Sequence, residues 1–497
     1  MGPNSCTFKV LAIMGVGTLL VCGFSSKAAA QTTVTADFAS RTYTGRPIPA
    51  EMFGINPAGL TDAAARSDLA QVGFSHLRAF VSLEKVYATR TPNWNNFDWN
   101  LHQAEIQGFH PTIVIGFTPP WLQPTSGPCT GSKTSPTSLS TWATLAAASV
   151  AHINKVFPGL VHDYEIWNEP ELATYLCVSD NTDATRLKTY LAMYAAAGKA
   201  MRAQASLDGV GIRIGGPSIS RSRGPMAAEW IGGLTTNSLT APYVDFVSVH
   251  IYRTDKGTTW ATLYGITQSP TAGLASVYLN VSNIVKAGKQ PNPASTPIYI
   301  TEYNNGWAFV QDCCRNNPTF GPLWNSTAIV DFMNTAYAGS RMPRRFYYYA
   351  GSAYPYFCMF GTWNTSMNCD GSSLLPYPQF YAFKLFMSSS YLNLTRGGYM
   401  AYSVTPGNTQ TGLLSTAFYS PTMDAIVIVN PMSTSYSNVS VIAKNAGYST
   451  VTGTMYLLNR SNPHITTKTI GITKIIGGFQ TSIAVPAYSV VAISLHP

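Results

Sequence analysis

The sequence predicts a (β/α)8 TIM barrel followed by a C-terminal all-β sandwich. Three observations carry this expectation. Short β-rich apolar runs alternate with Ala/Leu-rich helical stretches through residues 50–395. The stretch 396–497 instead alternates apolar with polar residues in short runs broken by Asn, Gly, Pro and Ser. All ten Trp lie between Trp94 and Trp363, so composition changes ahead of the tail. Strands alternating with helices imply parallel βαβ units, whereas short alternating strands separated by turn residues imply a sandwich.

Residues 1–30 read as an export signal. Lys9 precedes the apolar run VLAIMGVGTLLVCGF, and Ala28-Ala29-Ala30 offers small residues for cleavage before Gln31. The run is short of the ~20 apolar residues that span a bilayer. The expectation is a secreted chain, extracellular or periplasmic, with no membrane attachment after cleavage. Residues 31–49 hold a further alternating stretch, TVTADFASRTYTG (33–45), expected to pair with the sandwich.

Eight runs supply the barrel strands: FGIN (53–56), FSHLRAF (74–80), HPTIVIGF (110–117), VHDYEIW (161–167), IRIGGPS (212–218), DFVSVHIY (245–252), PIYITEY (297–303) and RRFYYYAG (344–351). FDWNLHQAEIQG (97–108), STWATLAAASVAHINKV (140–156) and TRLKTYLAMYAAAGKAMRAQ (185–204) are helical intervals. A doubly wound open sheet is the competing architecture. The Gly-rich stretch GVGIRIGG (209–216) does not spell the GxGxxG of a dinucleotide fold. The tail contributes DAIVIVNP (424–431), VSVIAKN (439–445), GTMYLLNR (453–460), TSIAVPA (481–487) and SVVAISL (489–495), and shows no helical period.

Bulk properties narrow the function. Of 497 residues, 45% are hydrophobic and only 11% charged, with 28 Tyr, which excludes a disordered chain. The net charge of +9 includes Lys9 and Lys27 of the leader. The other basic residues are scattered, with no run longer than Arg344-Arg345, so no nucleic-acid footprint is present. Cys6 and Cys22 lie in the leader. Six cysteines remain, an even number in an exported chain, and point to disulfides. The expected pairs are Cys129–Cys177, Cys358–Cys369 and a vicinal Cys313–Cys314. No CxxC or HExxH spacing supports a metal site.

Barrel chemistry sits at the C-terminal ends of the strands. Those ends hold Arg78 on the second strand, Phe117 with Trp121 beyond the third, Asn168-Glu169 on the fourth, His250 and Tyr252 on the sixth, and Glu302 on the seventh. Two glutamates facing across a mouth suit glycosidic cleavage. One protonates the leaving oxygen while the other attacks the anomeric carbon or activates a water. Asp163 and Glu165, inside the fourth strand, read as packing acids behind that pair.

The stretches WNNFDWNLHQAEIQGFHPTIVIGFTPPWL (94–122), YEIWNEPEL (164–172) and ITEYNNG (300–306) resemble glycoside hydrolase family 39 of clan A. That family includes β-xylosidases, α-L-iduronidases and bacterial exopolysaccharide hydrolases. The likeness runs in order through most of residues 50–350 and implies a sandwich after the barrel. It implies a retaining double displacement with Glu169 as acid/base and Glu302 as nucleophile. By the same likeness Asn168 would bind the sugar 2-hydroxyl, Tyr252 and Arg78 would hold Glu302 ionised, and His250 would touch either carboxylate. One departure stands out: Ala79-Phe80 follow Arg78 where a polar residue such as His is expected. Trp121 and Trp307 are candidate sugar-stacking walls, and segments 118–140 and 305–325 could wall a pocket. The expected substrate is a β-linked oligo- or polysaccharide of plant or microbial origin. No cofactor is implied, because side chains suffice for proton transfer and covalent catalysis. Two alternatives remain: an endo-acting clan A glucanase or mannanase, and a non-catalytic carbohydrate-binding barrel.

Overall fold

The computed structural model describes residues 32–39, 48–56, 63–254, 259–271, 273–306, 319–337, 343–349, 378–394, 399–404 and 412–497. The first described strand, β1 (Thr32–Asp37), belongs to the C-terminal sheet system. Eight parallel strands then close a barrel in chain order: β2 (Phe53–Ile55), β3 (His76–Ser82), β4 (His110–Gly116), β5 (Asp163–Ile166), β6 (Arg213–Ile219), β7 (Phe246–Thr254), β8 (Ile298–Gly306) and β9 (Arg345–Tyr348). The connecting helices are α1 (Ala63–Val72), α2 (Leu83–Val86), α3 (Asn95–Ile106), α4 (Leu139–Val156), α5 (Asp183–Leu207), α6 (Gly224–Thr236), α7 (Trp260–Thr267), α8 (Leu274–Lys286) and α9 (Phe320–Tyr337), with α10 (Pro378–Met387) after β9.

The helices start where the sequence supplies caps. Ser138 Oγ accepts from Thr141 N at the head of α4, and Thr182 Oγ1 accepts from Thr185 N at the head of α5. Each side chain satisfies one of the backbone donors that a first turn leaves unpaired. α10 falls in the Trp-free stretch, where no helical period is legible. Eight of its ten residues are buried, so it has no polar face to mark the period.

The lower barrel is filled by rings and one ion cluster. The Phe246 and Tyr299 rings stack at 4.2 Å. Asp163 at the foot of β5 binds Arg213 Nε at 2.5 Å and Arg345 Nη2 at 2.5 Å, and accepts from Tyr299 Oη. Gly215 makes room for this layer, since a Cβ there would stand 2.3 Å from the Phe246 ring. The glycines of 209–216 thus include a packing position in a barrel.

The C-terminal strands are β10 (Tyr399–Val404), β11 (Leu414–Ser420), β12 (Met423–Asn430), β13 (Tyr436–Lys444), β14 (Thr452–Asn459), β15 (Asn462–Ile470), β16 (Thr473–Ile475), β17 (Gly478–Val485) and β18 (Ser489–His496). They pair in the order β15-β14-β18-β12-β11-β10-β1-β13-β17-β16. β1 lies antiparallel to β10 and parallel to β13. β12 is buried on both faces. Its Ala425, Val427 and Val429 join the barrel core, while Ile426 and Ile428 join the separate core of the sandwich. The two-residue period of a strand thus ties both units together.

Candidate active site

Three strand ends build the site. β5 stops at Ile166, and Trp167 (φ 70°) and Glu169 (φ 45°) then take left-handed conformations. Such backbone is costly for residues with a Cβ and concentrates at functional sites. Here it breaks strand alternation, so the adjacent Asn168 and Glu169 both reach the barrel mouth. On β7 the alternation is regular, and His250 and Tyr252 both face inward onto carboxylates. β8 is irregular. Val249 pairs with Ile300 but His250 pairs with Glu302, so one residue bulges out of register. Tyr299 and Glu302 are an odd number of residues apart, yet both face the interior. The bulge re-aims Glu302.

Arg78 lies within β3, which runs on to Ser82 rather than ending near it. Its buried guanidinium binds Glu165 Oε2 at 2.5 Å, Glu302 Oε1 at 2.7 Å and Asn168 Oδ1 at 2.8 Å. Tyr252 Oη donates to Glu302 Oε2 at 2.6 Å. His250 Nδ1 shares a hydrogen bond with Glu169 Oε1 at 2.8 Å and lies 3.5 Å from Glu302 Oε2. Glu165 also accepts from Ser218 Oγ at 2.6 Å. Glu171, two residues past Glu169, accepts from Ser220 N and Oγ and from Arg221 N, tying this loop to the loop after β6.

The electrostatics divide the carboxyls. Burial pushes Glu169 up to about 7, only partly opposed by the positive charges of Arg78 and Lys133. Burial alone would also raise Glu165, but Arg78 in contact with it turns the net shift downward. Burial holds His250 below its ordinary value, so the imidazole is neutral at neutral pH.

Glu169, His250 and Glu302 bring one ligand-type atom each within 4.8 Å of one another. Such a trio could hold a cation in other surroundings. Here both Glu302 oxygens are already engaged, Oε1 by the Arg78 guanidinium at 2.7 Å and Oε2 by Tyr252 Oη at 2.6 Å, and the guanidinium would repel a cation. The same spacing bears on stereochemistry. Retaining glycosidases set their carboxyls ~5–5.5 Å apart and inverting ones ~6.5–9.5 Å, and one oxygen of each glutamate lies within 4.8 Å of the other, as the closer spacing requires.

A cleft of about 850 Å³ opens above the pair. Its walls include Phe80, Phe117, Tyr175, Tyr349, Lys133 and a row of asparagines on and before α3: Asn93, Asn95, Asn96 and Asn100. Ala79 and Phe80, the departure in the sequence, also line it. Trp121 does not. Its indole Nε1 donates to Tyr87 O and Thr89 O, and Arg90 covers its ring at 4.6 Å. The backbone of the 87–90 turn, two carbonyls plus an arginine, has claimed that ring. Trp307 lies outside the described residues, as do Cys313, Cys314, Cys358 and Cys369. Cys129 and Cys177 are joined by a disulfide. Lys133 lies in the 118–140 segment expected to wall a pocket, and Phe117 at the expected strand end, but neither residue nor Tyr175 stands out in the sequence as a cleft wall. A cue existed in the basic and aromatic residues flanking two half-cystines, but only the fold shows that they meet.

The family model of glycosyl hydrolases family 39 matches residues 61–397. The chain belongs to this family. It is a retaining clan A glycoside hydrolase. Similar solved folds include a monomeric beta-xylosidase from Caulobacter crescentus, with TM-score 0.66 and 16% identity, covering 94% of this chain and 99% of that one. A family 39 enzyme from Xanthomonas axonopodis pv. citri has TM-score 0.64 and 16% identity over 96% and 100% of the two chains. A family 30 endoxylanase from Clostridium papyrosolvens has TM-score 0.61 and 14% identity over 94% and 100%. At these identities the likeness is one of fold.

Proposed function

We propose that this family 39 hydrolase is a secreted β-glycosidase, with Glu302 as nucleophile and Glu169 as general acid/base. The observation that carries the reading is the pair itself: two glutamates within 4.8 Å, held in opposite surroundings. Arg78 and Tyr252 fix both oxygens of Glu302. Glu169 touches no cation, and burial raises it to about 7, so it carries a proton at mildly acidic pH. A group that must first donate a proton and then accept one works best with such a value.

In the first step a Glu302 oxygen attacks the anomeric carbon. The bond to the leaving oxygen breaks, and Glu169 gives its proton to that oxygen. In the second step the Glu169 carboxylate takes a proton from water. The water oxygen bonds to the anomeric carbon and Glu302 leaves. Asn168 spends its Oδ1 on Arg78, which turns its amide nitrogen toward a sugar hydroxyl. His250 shares a hydrogen bond with Glu169 and orients it in both steps.

The similar folds favour xylose as the glycone, since one is described as a beta-xylosidase and another as an endoxylanase. Export is supported by the leader-like residues 1–30 and by the Cys129–Cys177 bridge, which persists in oxidising compartments. Endo action on a polymer is the second reading. It is favoured by the asparagine row, which carries the cleft past the carboxylates and offers amides to further sugar hydroxyls.

The test is hydrolysis of aryl β-glycosides and soluble polysaccharides by wild type beside Glu302→Ala. Turnover that the variant loses, and that azide restores as an inverted product, supports the assignment. Equal turnover by both proteins would remove Glu302 from the chemistry. Sugar binding without turnover in either protein would favour a barrel that only binds.

A further inference from the structure

The leaving-group side of the cleft carries a feature that cleavage of a neutral sugar does not need. Phe117, at the end of β4, and Tyr175, in the loop after Glu169, lie nearly parallel with ring centroids 6.4 Å apart. The ammonium of Lys133 sits 4.0 Å from the Tyr175 centroid and 5.8 Å from that of Phe117. All three line the cleft beside Glu169. Among the described residues, no carboxylate lies within ion-pair distance of Lys133.

The backbone under Lys133 is fixed from both sides. Cys177 N donates to Lys133 O at 2.8 Å, and Thr118 N donates to Ser132 O at 2.8 Å. Thr118 Oγ1 donates to Thr134 O at 2.5 Å, and Thr134 bridges to Cys177. The Cys129–Cys177 disulfide closes the same pair of loops. A flexible lysine on an anchored backbone, resting on an aromatic face, is a prepared positive charge. The general acid marks the leaving-group side, because it must reach the departing oxygen.

We infer that Lys133 and the Phe117–Tyr175 wall form a subsite for a negatively charged leaving-group residue, a sugar bearing a carboxylate or a sulfate ester. This deepens the proposed function and rests on it. Lys133 selects as a point charge, so either anion serves. A rim contact of this kind is modest in strength and weakens with salt.

The test uses sets of three aryl β-glycosides that share a glycone and differ in the aglycone: 4-carboxyphenyl, 4-sulfophenyl (a sulfonate standing in for the sulfate ester) and neutral 4-carbamoylphenyl. Each is made on xylose, glucose and galactose. The readout is the anionic-to-neutral ratio of kcat/KM in wild type, Lys133→Gln and Lys133→Glu, which cancels the intrinsic quality of the leaving group. The ratio should drop about fivefold in Lys133→Gln and further in Lys133→Glu, with the wild-type preference fading in high salt. A larger drop for one anion than the other tells carboxylate from sulfate. The same ratio in all three proteins overturns the subsite. A wrong glycone appears differently, as a row of substrates that no protein cleaves. If every row is silent, calorimetric titration of tetragalacturonate against cellotetraose reads the charge directly. Tighter binding of the acidic tetramer by wild type, lost in Lys133→Gln, supports the inference; equal binding overturns it.

A pH profile gives a second reading. Glu169 faces Arg78 from β3, His250 from β7, Glu302 from β8, Glu171 from its own loop, and Lys133. Removing the last charge should move the alkaline limb of kcat/KM upward by about half a pH unit. An unmoved limb would place Lys133 too far from Glu169 for this role.

Discussion

The two ends of the barrel handle buried charge in opposite ways. At the foot, one carboxylate, Asp163, meets two guanidiniums and a tyrosine hydroxyl. At the mouth, one guanidinium, Arg78, serves Glu165 and Glu302 directly, and Glu169 stands near without touching it. At the foot burial would raise the carboxyl, but the arginines win and Asp163 ends below its ordinary range. At the mouth cations are outnumbered, and burial pushes the carboxyl without direct contact up to about 7. One imbalance leaves a carboxyl held low at the foot of β5 and a carboxyl pushed up just past its other end.

The largest expected effect falls on the mouth. Glu302→Ala should lower kcat on the best aryl glycoside by on the order of 10⁴-fold or more, measured under saturating substrate. The melting temperature should change little beside that loss. Glu169→Gln should cost about 10²–10⁴-fold on substrates with poor leaving groups and far less on activated ones. Equal losses on both would mean that Glu169 is not the acid.

Asp163→Ala tests the foot. It leaves Arg345 buried without its carboxylate, so chemical denaturation should show about 3 kcal/mol or more of lost stability. The kcat of the folded fraction should stay close to wild type. A large fall in kcat with stability intact would break the division between the two ends.

The ends should also respond to pH with opposite sign. Asp163 is held below its ordinary 3.8, so its contribution to stability is present above that value and is lost as the pH falls below it. Glu169 is raised from 4.5 to about 7, so its contribution is present while it stays protonated and is lost as pH rises between those values. Activity should follow Glu169, with kcat/KM falling above about pH 7. The smallest effect is reserved for Trp121→Phe. With that indole committed to Tyr87 O and Thr89 O, kcat/KM should stay within about twofold of wild type.

The sequence reached both the barrel and the carboxylate pair, because each rests on local signals. Alternating strand and helix patterns are short-range, and Asn168-Glu169 and Glu302 follow runs whose apolar content marks them as strands. Aromatic roles were less legible. Trp121 and Phe117 are four residues apart at the end of one strand, and nothing local says which ring turns to the cleft and which to the 87–90 turn. α10 was hidden because burial on all sides removes the polar face that reveals a helix.

The chain alone determined the eight barrel strands and five of the tail strands, that acids stand toward the C-terminal ends of two barrel strands, and that cysteines 129 and 177 could pair; β10, β11, β15 and β16 were not read, and β8 runs on past Glu302 to Gly306. Tertiary structure decided the rest. A two-residue period starting from Tyr299 would turn Glu302 away from the interior, and only the register slip against β7 brings it back. Likewise the two catalytic candidates are the same amino acid. Burial by segments far away in sequence raises Glu169, while Glu302 sits in contact with Arg78, and both surroundings exist only once the barrel has closed.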